Sequence, residues 1–213
     1  MRTLADEINA QLGIFAPARV ADTSSEAALY WASVSHGRNG FGALSGAFIC
    51  FGHAPNSGPL DLAWYGSVWP ERHLYRKLEL ADFIFGCDVF ADLWFLRGEA
   101  IYRLEGETGD AILVLNDARE LGALAIDEAA EMFGGSIARE HFAGKNLGMD
   151  PLRLLPSIPF VIAGGDKREF HAVPLSEALR KKAQLCQQID GMSDGEAIDL
   201  TFWRDIEVNQ DRD

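Results

Sequence analysis

The chain has 213 residues, 48% of them hydrophobic and 24% charged, a balance that supports a folded body with a sizeable core and excludes an intrinsically disordered one. Its formal net charge is −13, which argues against direct contact with nucleic acid or an anionic membrane, because phosphate recognition needs clustered Lys and Arg. Apolar runs are short: Ala111 to Leu115 stops after five residues, far below the roughly 18 a membrane-spanning helix requires.

The start of the chain, Met1 to Glu7, acquires acids where a secretory peptide would be apolar, so a cytoplasmic location is expected. Leu4, Ile8 and Leu12 recur at four-residue spacing and predict a short amphipathic helix over Thr3 to Leu12. A second helix is predicted from Thr23 to Ser25 onward, stopped by a Gly-rich turn between His36 and Gly42. Gly46 to Gly52 reads as the first strand, followed by a polar loop with Pro55, Asn56, Gly58 and Pro59. Leu60 to Arg76 mixes Trp64, Tyr65, Trp69 and Tyr75 with charged residues and reads as loop and short helix.

From Phe83 onward the pattern is that of a β-meander. Phe83 to Phe85, Phe90 to Leu96, Ala100 to Leu104 and Ile112 to Leu115 are aromatic and β-branched runs separated by turns. Arg97-Gly98 is a predicted two-residue hairpin, and Gly109 in the next turn is suited to a positive φ. Asn116 or Asp117 is placed to cap a helix that runs through Leu121, Leu124, Ala125 and Glu128 to Met132 and ends at Gly134-Gly135. A Pro-rich turn at Pro151, Pro156 and Pro159, an apolar run at Phe160 to Ala163, a helix from Ser176 to Ile189 and a closing strand from Ala197 to Trp203 complete the expected order. Strands grouped in sequence with flanking helices favour an α+β fold with a mixed, largely antiparallel sheet. The expected division is a main α+β domain over residues 1–150 and a strand-helix-strand extension over residues 151–213 that packs on the same body.

The sequence offers little bond-making chemistry. Gly40 to Ser45 approximates a dinucleotide fingerprint but follows a predicted helix and ends in Ser, so no cofactor is expected. Gly164-Gly165-Asp166-Lys167 lacks the length of a phosphate loop, and Gly134 to Ala138 lacks the final Gly of a nucleophile elbow. His36, His53, His73, His141 and His171 never fall at metal-ligand spacing, so no metal is expected. Cys50, Cys87 and Cys186 are widely spaced and read as reduced, mostly buried thiols. Asp82, Asp88 and Asp92 are the carboxylates to test for acid-base chemistry. Trp64 and Trp69 are expected near the surface, where aromatic residues dominate protein interfaces, and together with Asp88 they are the candidate partner-binding residues. Between Asp190 and Asp213 eight acids stand against two arginines, an acidic end that attracts a basic partner.

The segment Asp82 to Asp92, continued by Trp94 to Leu104 and Glu107-Thr108-Gly109, resembles the centre of the SUKH superfamily, which includes fungal cell-wall-synthesis regulators and many bacterial immunity proteins. The Gly40-Phe41-Gly42 turn before the strand at Phe48 is also similar. Ala91 departs from the pattern, since such proteins often carry Gly there. The resemblance implies a sheet-and-helix scaffold that binds diverse proteins and carries no catalytic residues, commonly neutralising a toxin, nucleases among them. Three functions follow as expectations. The first is a non-catalytic immunity protein bound to a cognate toxin. The second is an intracellular regulatory adaptor in cell-envelope or signalling control. The third is a hydrolase using the Asp88 and Asp92 carboxylate pair.

Overall fold

The computed structural model describes residues 2–10, 39–52, 58–142, 151–162, 169–193 and 196–204. Helix α1 (Leu4–Ala10) opens with a reciprocal cap. The Asp6 N–H donates to Thr3 Oγ1, and the Thr3 N–H donates back to the Asp6 carboxylate at 2.8 Å, satisfying donors a helix start leaves free. Leu4 and Ile8 are buried. Leu12 and the second predicted helix lie outside the described residues.

The α+β expectation holds: six strands form one antiparallel sheet in strict chain order. They are β1 (Phe41–Ala43), β2 (Phe48–Cys50), β3 (Phe83–Cys87), β4 (Leu93–Arg97), β5 (Ala100–Leu104) and β6 (Ala111–Leu115). The Gly-rich stretch expected to be a turn through Gly42 gives way sooner. Gly40 has φ 71°, but Phe41 already pairs with Cys50, because its buried ring packs edge-on against Phe48 at 6.1 Å. The connection from β2 to β3 contains α2 (Leu62–Ser67), capped by the Asp61 carboxylate on the Ala63 N–H, and a 3-10 turn over Pro70–Leu74.

Strand β4 begins at Leu93, three residues later than the apolar run suggested, because residues 88–92 close into a side-chain-bonded turn. In the next hairpin Arg97 is still paired, with Ala100, so the turning residues are Gly98-Glu99 rather than Arg97-Gly98. Gly109 has the positive φ expected of it, 75°. The helix expected from Asp117 to Met132 is two helices, α3 (Glu120–Ala123) and α4 (Ile126–Met132). The break has a cause: the chain at Arg2–Leu4 comes alongside, with the Leu4 N–H donating to Leu124 O and the Ile126 N–H to Arg2 O. Leu124 and Ala125 are thereby held extended. Gly134, at φ 75°, ends α4, but the chain then re-enters helix as α5 (Gly135–Phe142). A Cβ on Gly134 would lie 2.6 Å from Val89 Cγ1, so the sharp turn between α4 and α5 needs glycine twice over.

The residues after 150 also depart from expectation. Pro151 and Pro156 do not make a turn but bracket β7 (Leu152–Pro156), which pairs with β8 (Phe170–Pro174) in a separate two-stranded sheet. Helix α6 (Leu175–Ile189) follows. Where the closing strand was expected, residues 197–200 have no regular structure and lead into a short helix, α7 (Thr201–Arg204). The Asp199 carboxylate caps α7 by accepting from the Thr201 N–H and hydroxyl, while the Gln188 side chain binds the Asp199 backbone in both directions. These local bonds remove the backbone groups a strand would need.

A single contiguous core joins both parts of the chain, with Phe48, Trp94 and Phe133 in the same cluster as Leu154, Leu179 and Trp203. Phe48 stacks on Phe133 at 4.3 Å and meets Trp94 edge-on at 6.5 Å. The hairpin is pinned by polar contacts too: the Leu154 N–H donates to Val89 O, and the fully buried Arg153 guanidinium donates to Gly46 O and Cys87 Sγ. Trp203 Nε1 donates to Pro156 O at 2.8 Å. No helix among the described residues is long and apolar enough to cross a membrane.

Candidate functional site

The turn between β3 and β4 brings together two of the three carboxylates that the sequence singled out, Asp88 and Asp92. Asp88, buried at 2% exposure, spends its oxygens on the turn itself. Oδ1 accepts from the N–H groups of Phe90 at 2.9 Å and Asp92 at 3.1 Å, and Oδ2 accepts from Trp94 Nε1 at 3.4 Å. Asp92 points the other way. Its Oδ1 accepts from the Gly106 N–H at 2.9 Å and from Lys182 Nζ of α6 at 2.5 Å. The Lys182 stem runs so close over Gly106 that a Cβ there would sit 2.6 Å from its Cδ.

This arrangement sets the protonation of each group. Burial, followed by the charge of Asp92, pushes the Asp88 carboxyl up to about 7. Burial alone would lower Lys182, but the charges of Asp92, Glu107 and Asp88 outweigh it and hold the ammonium above its ordinary value. Lys182, at 1% exposure, is thus a buried cation tied to the meander by charge.

Beside this pair lies a cavity of about 360 Å³. Arg103 and Glu105 form one wall, bonded to each other at 3.0 Å, and the rings of Phe90 and Phe160 form another, edge-on at 5.1 Å. Glu107, only 4% exposed, also lines it; Oε2 accepts from the Val161 N–H at 2.9 Å, while Oε1 has no hydrogen-bond partner. Burial raises the Glu107 carboxyl, and the nearby Lys182 charge opposes that rise. Nε of Arg103 is likewise buried without a partner.

Of the residues expected to meet a partner, Asp88 and Trp69 are buried and offer no outer surface. Trp69 is drawn inward because its ring joins a column running from Phe51 through Tyr65 to Tyr75. Trp64 is half-buried and lines a second depression, of about 340 Å³, with Pro70, Glu71, Glu177 and Arg180. Asp82 accepts from Arg97 Nε at 2.9 Å and caps the Glu79 N–H, standing apart from the Asp88 turn as a structural ion pair. The three cysteines are buried and none is in a disulfide, and no group of three potential metal ligands occurs among the described residues. His36, His53 and the Gly164-Gly165 segment lie outside them.

Sequence reasoning missed Lys182, Glu107 and Arg103. Lys182 left a legible mark, since it falls on the apolar stripe of α6 formed by Leu175, Leu179 and Cys186, where a lysine is out of place unless paired. Glu107, in a turn rich in Gly and Thr, left none. The chain matches no family model, no curated protein and no solved structure.

Proposed function

We propose that the protein is a non-catalytic binding protein that neutralises a cognate protein partner, a toxin in the bacterial setting, by direct stoichiometric contact. The observation that carries this reading is the depression around Trp64, whose half-buried side chain lies beside Pro70 with Glu71, Glu177 and Arg180 around it. Tryptophan is enriched among the residues that dominate protein interfaces, with polar and charged groups at their rim. The −13 charge adds to it, because an acidic surface speeds encounter with a basic partner and can occupy a channel built for phosphate. The resemblance of Asp82 to Gly109 to the SUKH superfamily points the same way. The carboxylate pair supports binding over hydrolysis, since Asp88 is engaged by two backbone N–H groups and Asp92 by Gly106 and Lys182.

The test is capture followed by substitution. Immobilised protein should retain one basic protein from the cell that makes it, and Trp64→Ala should weaken that complex about tenfold or more. Retention of housekeeping enzymes alone, or a complex indifferent to Trp64→Ala, contradicts the proposal. A captured envelope or signalling regulator in place of a toxin would identify the adaptor role.

A further inference from the structure

We infer that the cavity beside the Asp92–Lys182 pair is a binding site for a basic amino-acid unit, with a guanidinium or ammonium head at Glu107 and a carbonyl or carboxylate acceptor at Arg103. This stands independently of the protein-binding reading, because it rests on a different cavity from that of Trp64.

Three carboxylates and two cations line the cavity. Asp92 pairs directly with Lys182 and Glu105 with Arg103, whereas Glu107 feels the Lys182 charge without a direct ion pair among the described residues. It is more than nine-tenths buried, and its Oε1 accepts no hydrogen bond. A buried carboxylate in that state is costly. A cationic donor in the cavity removes the cost, and an anion would meet three carboxylates with both cations already engaged. The second unmet group, the Nε–H of Arg103, is a donor; both atoms are closed to water, so a ligand that satisfies them turns the two side chains toward the cavity and carries a cation and an acceptor together. Phe90 and Phe160 supply ring surface for an aliphatic stem and a cation. A volume of about 360 Å³ accommodates one such unit. A free amino acid and a side chain presented by a partner protein share this chemistry.

The probes are Nα-acetyl-L-arginine methylamide, its neutral isostere Nα-acetyl-L-citrulline methylamide, and free L-arginine, each titrated into the full chain by calorimetry or ligand-observed NMR. The capped arginine should bind in about the millimolar range or better, and about tenfold tighter than the citrulline compound. Glu107→Gln should lose about that same factor. No binding of either arginine probe, equal binding of arginine and citrulline compounds, or unchanged binding in a folded Glu107→Gln variant overturns the assignment. If Glu107→Gln does not fold, the arginine–citrulline comparison on the native chain decides alone. Tighter binding of free L-arginine than of the capped form assigns the source as a free amino acid. Equal or tighter binding of the capped form assigns it as a protein side chain.

Discussion

Ala91 holds a φ of 63° with its methyl buried in the Asp88–Asp92 turn. This left-handed backbone is one that Gly adopts without a steric penalty. Ala91→Gly relieves a strain of about 1–2 kcal/mol but loses a buried methyl and adds chain entropy, so its stability should stay within about 1 kcal/mol of the native chain. Ala91→Val adds β-branching at positive φ in a packed site and should cost more than about 2 kcal/mol in urea denaturation. Asp88 makes a second prediction at this scale. Its carboxyl titrates near 7 in the folded chain, raised by burial and by Asp92, against about 3.9 when unfolded. Between these values the folded state holds a proton that the unfolded state has released, so the contribution of Asp88 is fully present below about pH 4 and is lost as pH rises toward 7. Asp88→Asn can still accept from the Phe90 and Asp92 N–H groups, and its stability should lack this decline. Equal slopes for the two chains between pH 4 and 7 would refute the assignment.

At the scale of elements, α6 is fastened to the meander by one buried charge pair. Lys182→Met leaves Asp92 beside Asp88 with its cation gone and should cost about 3–5 kcal/mol. The double variant Asp92→Asn with Lys182→Met keeps an acceptor for the Gly106 N–H and should recover more than half of that loss. Additive losses in the two single variants would show that the pair is not coupled. These elements also mark where sequence reading succeeds. Strands β3 to β6 were legible because each is an aromatic or β-branched run punctuated by turn residues, and α6 because its apolar stripe is periodic. The break between α3 and α4 was not legible, since it is imposed by Arg2–Leu4 from the far end of the chain. Nor was α7, whose geometry depends on Gln188 clamping Asp199. The Asp92–Lys182 contact spans 90 residues, and only the misplaced lysine in α6 hinted at it.

Across the whole molecule, the residues after 150 belong to the same core as the meander, and Arg153 carries a buried guanidinium into it. The carboxylate turn is held by the bonds of Asp88 and Asp92, and the chain carries a net charge of −13. In the proposed function this acidity draws in a basic partner. The site was less legible than the fold: Trp64 was named from sequence, but the depression around it is completed by Glu177 and Arg180 of α6, more than a hundred positions away. A neutralising protein of the proposed kind acts by occupancy rather than turnover. The direct measurement is a titration of the captured partner's activity with this protein. Inhibition should rise linearly and finish at about one equivalent for a tight complex, with both chains recovered intact. Loss of the partner's activity at a small fraction of an equivalent, abolished by replacing Asp88 and Asp92 together with Asn in a folded chain, would contradict it.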